Sequence, residues 1–228
     1  MKPLISIGIP CFNQAQYLAQ CVDSVLAQTV KPHEIWICND GSQDETRYVA
    51  QQYPEVKYIE QVNKGLASAR NTIIMNMTGN WFYPLDSDDM MLENCLEVVS
   101  KKIEETGADV VAPSFKCFGV NNDSVILMSN PVFEDFKPKD GFPINRIGYF
   151  SAIKKSALLE IGGYSPRMTW GWEDYHLTLN LLAQGKKIVT IKDILVLYRT
   201  KEKSMITEAN AHATELMTQI YKDFPSFQ

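Results

Sequence analysis

The apolar run Trp81-Phe82-Tyr83-Pro84-Leu85 ends in Asp86-Ser87-Asp88-Asp89, three carboxylates within four positions. Carboxylates crowded this closely repel one another unless a cation neutralises them. A hard divalent ion takes oxygen ligands and often sits between a protein carboxylate and substrate phosphates. The stretch therefore reads as a metal–diphosphate site at the end of a strand. An acidic turn in solvent is the alternative. In an extended chain Asp86 and Asp88 lie on one side and Ser87 on the other. The Gly and distal Glu of an EF-hand loop are missing.

Other residues carry chemistry of a matching kind. Asp40, before Gly41-Ser42, can accept the imide N–H of a uracil ring; the Asp-Gly pair also fits an Asx-turn, and the shared edge with the acidic cluster favours the first. Phe12 either stacks on a base or joins the core. Lys64 and Arg70 stand at and just after a helix start, where an anion is welcome; for Lys64 a solvated surface role serves as well. In Trp170-Gly171-Trp172-Glu173-Asp174 two aromatics flank two acids. Sugar C–H faces stack on rings while acids accept hydroxyl hydrogen bonds. Acids at a helix start also simply stabilise its dipole. His33, His176 and His212 show no ligand spacing, so His33 and His212 read as surface and His176 is left open.

The elements that must position these residues follow from periodicity. Leu4–Ile9, Ile35–Cys38, Val56–Ile59 and the Trp81 stretch read as four strands. Amphipathic helices follow each: one with Leu18, Cys21, Val22, Val25 and Leu26, one capped by Asp44, one with Leu66, Ala69, Ile73 and Met77, and one with Leu92, Cys95, Leu96, Val99 and Ile103. Such alternation implies an α/β fold with a parallel sheet covered on both faces. Right-handed crossovers put the strand-end loops on one edge, where ligands bind. Four polar clusters then converge there: Pro10–Asn13, Asp40–Ser42, Asn63–Gly65 and Asp86–Asp88. Beyond them the pattern predicts strands over 109–118, 147–153, 187–191 and 195–198, helices over 154–161, through Leu182 and over 209–221, and a long loop over 119–146 with one hairpin.

The chain has 228 residues, 45% hydrophobic and 21% charged. A net charge of −5 argues against partners held by electrostatics, such as nucleic acid or an anionic membrane. Five cysteines without metal spacing predict reduced thiols and a cytoplasmic protein. The reading expects no leader and no membrane-spanning segment, and leaves action at a membrane surface open. No composition break marks a linker, so residues 1–228 are expected to form a single domain.

With these residues assembled, the chain resembles the family 2 inverting nucleotide-sugar glycosyltransferases, which have the GT-A fold. The resemblance runs from residue 4 to about 205. It rests on Ile9–Asn13, Asn39–Asp44, Asn63–Asn71, Leu85–Asp89, Gly162-Gly163-Tyr164, Glu173-Asp174 and Tyr198-Arg199, in order. It implies a Rossmann-like, mostly parallel central sheet and a smaller acceptor-side half: residues 1–105 hold the nucleotide sugar, 106–205 the acceptor, and 206–228 form a C-terminal helix. It implies transfer of a sugar, from a UDP-sugar by preference, to a hydroxyl of a glycan or glycolipid, as in polysaccharide biosynthesis. Pro10, Phe12, Asn13, Asp40, Lys64, Arg70, Asp86 and Ser87 are the donor-side set. Asp88, with Asp86, would hold Mn²⁺ or Mg²⁺. Trp170, Trp172 and Glu173 would meet the acceptor, and Asp174 would be the catalytic base. One departure stands out. Tyr198-Arg199-Thr200-Lys201 carries Lys201 where the family often has a metal-binding His, so either the metal has fewer protein ligands or the ammonium itself neutralises the leaving diphosphate. A sugar-nucleotide-binding protein without catalysis is therefore the alternative, followed by a sugar nucleotidyltransferase.

Overall fold

Ile5, Ile7 and Ile9 are as buried as their neighbours, because the strand they build is covered on both faces. In the computed structural model, which describes residues 2–120, 123–131, 136, 145–202 and 205–227, this strand is β1 (Ile5–Cys11). There follow α1 (Ala15–Leu26), β2 (Glu34–Asn39), α2 (Thr46–Ala50), β3 (Lys57–Glu60), α3 (Leu66–Asn76) and β4 (Trp81–Pro84). Then come β5 (Met90–Met91), α4 (Cys95–Thr106), β6 (Val110–Gly119), β7 (Val125–Ile126), β8 (Ala152–Lys154), α5 (Lys155–Glu160) and α6 (Glu173–Ala183). β9 (Ile188–Thr200), α7 (Met205–Ala211) and α8 (Ala213–Asp223) complete the described elements, before a 3₁₀ turn at Pro225–Phe227.

The sheet order is β3-β2-β1-β4-β8-β6-β9-β5, with β7 beside β6. β3, β2, β1 and β4 run parallel, as the alternation requires. β8 enters antiparallel between β4 and β6, and β6 and β9 form a long parallel pair. One apolar layer joins the sheet to α1 and α4; the opposite layer joins it to α3, α5 and α6. A third cluster packs α6 against α7 and α8. α6 serves two cores because Leu177 and Leu181 face the sheet while Tyr175 and Leu179 face the C-terminal helices.

Three expectations for the second half are corrected. The strand expected over 147–153 contracts to Ala152–Lys154, because Phe150 packs edge-on against Phe115 and Tyr149 is drawn to the acidic turn. The two strands over 187–198 are one, β9, continuous past exposed Lys192 and Asp193. Its register with β6 shifts at Pro113–Phe115, where the proline has no N–H to pair. The final helix is broken at His212 into α7 and α8. β7 supplies the expected hairpin with β6; most of the long loop over 119–146 lies outside the described residues.

Glu34 ties the sheet edge remote from the acidic cluster. Its buried carboxylate accepts from Ser6 Oγ at 2.7 Å, Lys57 Nζ at 2.7 Å, Thr78 N at 2.6 Å and Gly79 N at 3.2 Å. Burial alone would push its carboxyl up, but these donors outweigh burial and hold it well below the usual carboxylate range. A depressed pKa adds stability that is full above the unfolded value of ~4.3 and is lost as pH falls below it. Glu34→Gln is expected to cost about 2–3 kcal/mol at pH 7. In urea denaturation the gap to wild type should narrow at pH 3; a gap independent of pH contradicts this account.

Candidate active site

The site is built on the shared C-terminal edge of β1, β2 and β4. Cys11 pairs with Asn39, and Leu85 N bonds to Gly8 O at 2.9 Å, so the polar loops leave the sheet side by side. The Asp40 carboxylate is buried. Its Oδ1 accepts from Gln61 Nε2 at 2.7 Å and Lys64 N at 2.9 Å, and its Oδ2 from Gly65 N at 2.8 Å. Asp40 therefore holds the Asn63–Gly65 turn. Gly41 is required there: it has φ +77°, and a Cβ on it would lie 2.8 Å from Asn63 N. Phe12 is 46% exposed beside this cluster, not core. Asn13 adopts φ 52° and links the first loop to the second: Ser42 Oγ accepts from Asn13 N at 3.0 Å, and Asn13 Oδ1 accepts from Gln43 N at 2.8 Å. Pro10 is buried in β1 and Lys64 is exposed.

Asp86–Asp89 is a tight turn rather than an extended continuation of β4, closed by Asp89 N to Asp86 O at 3.0 Å. The alternation of sides survives: Asp86 and Asp88 are partly exposed, while Ser87 and Asp89 are buried. Each carboxylate has its own donor. Arg70 NH2 lies 2.8 Å from Asp86 Oδ1. Lys201 Nζ lies 2.5 Å from Asp88 Oδ2. Asp89 Oδ1 accepts from Arg199 N at 2.6 Å, and its Oδ2 accepts from the Tyr149 hydroxyl. Burial, opposed by Arg70, leaves the Asp86 carboxyl pushed up to about 6. Asp89 is pushed well above the carboxylate range by burial and then by Asp88 and Asp86.

Arg70 is the centre of the arrangement. It is 0% exposed, on the buried face of α3. Its NH1 lies 2.6 Å from Glu173 Oε1, the first residue of α6. Its guanidinium sits 5.0 Å and 5.1 Å from the rings of Tyr149 and Tyr164. The resemblance assigned Arg70 to the nucleotide; here it is a buried bridge between the acidic turn and the helix bearing Asp174. Tyr164 is fixed by Asn71, which bonds both its N (2.9 Å) and its O (2.8 Å). Gly163 lets the chain come this close, with φ +75° and a would-be Cβ 2.5 Å from Asn71 Oδ1. Gly162 has φ +79° but open space. Gly162→Ala is thus expected to cost about 1 kcal/mol for left-handed backbone alone, and Gly163→Ala clearly more. Thermal midpoints would compare them; equal losses contradict the close contact.

Asp174 stands in the first turn of α6. Oδ1 accepts from Tyr175 N at 2.8 Å and Oδ2 from Asn145 Nδ2 at 2.8 Å. Burial, then the neighbouring Glu173 charge, push its carboxyl up to about 7, against the opposing pull of Arg70. A carboxylate poised near neutrality is suited to taking a proton.

The acceptor-side expectations need correction. Glu173 is buried and ion-paired with Arg70, so it does not face a cleft. Trp172 is 8% exposed and packs with Met168, Leu179 and Ile220 between α6 and α8. Its φ of 59° turns the chain into the helix. Trp170 alone of the three is open, 38% exposed and stacked on His212 at 3.9 Å. His176 is a core residue bonded to Asp223 at 2.9 Å, while His33 is exposed. Asp89, Tyr149 and Tyr164 were missed. Asp89 was visible as the third acid and Tyr164 as the end of the Gly162-Gly163-Tyr164 motif, though neither was given a role; nothing in the sequence around Tyr149 marks it.

A divalent cation needs carboxylate oxygens it can reach. Asp88 carries an ammonium, Asp86 a guanidinium, and Asp89 is buried. Among the described residues no group of three His, Cys, Asp or Glu side chains is arranged to hold a metal. With Lys201 in place, the Mn²⁺ or Mg²⁺ expected from the resemblance does not fit this donor set.

A mostly parallel α/β sheet with Asp40 and Asp86–Asp89 at its strand ends and Asp174 in the first turn of α6 is a GT-A arrangement. Residues 6–176 match the model of Glycosyl transferase family 2, and the chain belongs to that family. It is 28% identical over 227 residues to the glycosyltransferase GlyG of Streptococcus pneumoniae, covering 90% of this chain and 74% of GlyG. It is 29% identical over 224 residues to GlyA of the same species, covering 88% of this chain and 31% of GlyA. Over 109 residues it is 40% identical to a chondroitin synthase of Escherichia coli, covering 44% of this chain and 16% of that protein. It thus spans only part of these larger relatives. The structure of S. aureus TarS 1-349 with UDP-GlcNAc shares the fold, with a TM-score of 0.73 at 18% identity over 91% of this chain and 61% of TarS. No helix among the described residues is long and apolar enough to cross a membrane.

Proposed function

We propose that this chain transfers a sugar from a UDP-sugar to a hydroxyl of a glycan or glycolipid, with inversion at the anomeric carbon. The observation that carries the reading is the Arg70 bridge. It locks the acidic turn, on the donor side, to the helix that presents Asp174. The named relatives support the class: the E. coli protein is a chondroitin synthase, and TarS binds UDP-GlcNAc. On this reading Phe12 stacks on the base, and the remaining acceptor position on Asp40 Oδ2 takes the uracil imide N–H. Asn13, Lys64 and Ser87 line the same donor side. Asp174 receives the proton of the acceptor hydroxyl as its oxygen attacks the anomeric carbon from the face opposite the nucleotide. That hydroxyl becomes acidic as the bond forms, so a carboxylate near neutrality suffices. Trp170 offers a ring to the acceptor sugar.

The test is turnover of labelled UDP-, GDP- and dTDP-sugars with simple glycoside acceptors, with the product configuration read by NMR. One UDP-sugar is expected to be consumed, with an inverted product. A retained product would sink the single-displacement mechanism. No turnover of any donor, with tight nucleotide binding kept, would favour the non-catalytic binding protein.

A further inference from the structure

We infer that Lys201 is the resident cation of the donor site, so that this chain binds a nucleoside diphosphate without a divalent metal ion. The inference rests on reading the cleft as a glycosyltransferase donor site, and deepens it. Asp86 and Asp88 are the partly exposed acids of the turn, and each already has a protein cation: Arg70 for the first, Lys201 for the second.

The position of Lys201 is fixed by its neighbours. Arg199, two residues earlier, is wedged between the rings of Tyr17 at 4.5 Å and Phe118 at 4.3 Å. Its Nε donates to Asp88 O at 2.8 Å, its NH2 to Gln20 Oε1 at 2.6 Å, and its backbone N to Asp89 Oδ1 at 2.6 Å. Thr200 Oγ1 donates to Phe118 O at 2.9 Å. The backbone leading to Lys201 is therefore anchored to the acidic turn itself. Its ammonium rests on Asp88 at 2.5 Å and lies 5.7 Å from the Tyr17 ring.

The Lys201 side chain is 24% exposed and that of Asp88 15%, so the pair is half-sunk yet open to a ligand. An ammonium has three donors, and Asp88 engages one. A strongly charged anion can share the ammonium with Asp88. A divalent cation on the same Asp88 oxygen would meet a like charge at contact distance. The site is thus complementary to a diphosphate before any ion is added.

In the transfer step, the bond from the anomeric carbon to the diphosphate oxygen breaks, and its electron pair stays on that oxygen. The bond to the acceptor oxygen forms, and the acceptor's proton passes to Asp174. The departing nucleoside diphosphate carries one more negative charge, which the Lys201 ammonium pairs without losing a proton.

The test is calorimetric titration of the chain with UDP, GDP, CDP and dTDP, in EDTA and then with Mn²⁺ or Mg²⁺. One diphosphate is expected to bind in EDTA, with either metal changing its Kd less than threefold. Lys201→Met should weaken binding in EDTA at least tenfold. Lys201→Arg, which keeps the cation, should stay within about threefold of wild type. Thermal midpoints of the unliganded variants check folding. Binding that appears only with metal overturns the inference and leaves the donor-site reading standing. So does a Lys201→Met Kd in EDTA within threefold of wild type. Failure of all four diphosphates to bind under every condition overturns both.

Discussion

Arg70→Met is expected to lower stability by about 3–5 kcal/mol and to abolish turnover. The substitution keeps length and apolar bulk but leaves Asp86 and Glu173 without their shared cation. Removing one partner of a buried ion pair costs that much because the remaining charge stays buried without compensation. Here two acids are stranded at once, and the stack between Tyr149 and Tyr164 loses its centre. The sign of the pH dependence follows. In wild type, burial raises the Asp86 carboxyl and Arg70 opposes the rise. Without Arg70 it rises further above its unfolded value. A group whose acid form the fold favours loses stability as pH rises. The deficit of Arg70→Met should therefore be smaller at pH 5 than at pH 8 in urea denaturation. Arg70→Lys keeps one charge but loses the planar fork that reaches both acids, and should recover stability only in part. A stable, active Arg70→Met protein would remove the bridge from the account of the site.

Asp174→Asn is expected to reduce kcat by about 10²–10⁴-fold, the usual worth of a general base, while leaving the fold intact. With the carboxyl raised to about 7, wild-type kcat/KM should rise with pH through roughly that value as the base form accumulates. The residual activity of the Asn variant should lack this limb. Stability should move the opposite way. The raised carboxyl disfavours the folded charged form, so wild type loses stability as pH climbs from ~4 toward 7. Asp174→Asn removes that burden and should be at least as stable as wild type at pH 8. Because the Asp174 side chain is partly open to solvent, the gain is about 1 kcal/mol. A wild-type profile flat from pH 5 to 8, or full activity in the variant, would remove Asp174 as the base.

The two predictions differ in what the sequence could show. Asp174 was legible as an acid at a helix start, next to a second acid. Its raised pKa was not, since that arises from burial and from Glu173 held in place by Arg70. Arg70 itself was legible as a basic residue one turn into a helix, which pointed outward to an anion. It points inward, because small Ala67 and Ala69 let α3 lie close on the sheet and Tyr149 and Tyr164 close over the guanidinium. Trp172 failed for a related reason. An aromatic beside acids reads as a sugar platform, but φ 59° turns it into the C-terminal core, which residues 205–224 complete.

By itself, the sequence determined the order of strands and helices in the first half apart from the two-residue β5, because a period of 2 or 3.6 is a local property and each burial face is written in consecutive residues. From that order it determined that Asp40 and Asp86–Asp88 meet on one sheet edge, since short parallel crossovers leave no other arrangement. Only the tertiary structure decided which charges pair. Arg70 meets Glu173 across 103 residues, and Lys201 meets Asp88 from just past the end of β9. An ion pair depends on distance in space and on the local dielectric, and no periodicity in the chain encodes either. The acidic turn, Arg70 and Lys201 were each visible in the sequence; their pairing, Arg70 on Asp86 and Lys201 on Asp88, was not.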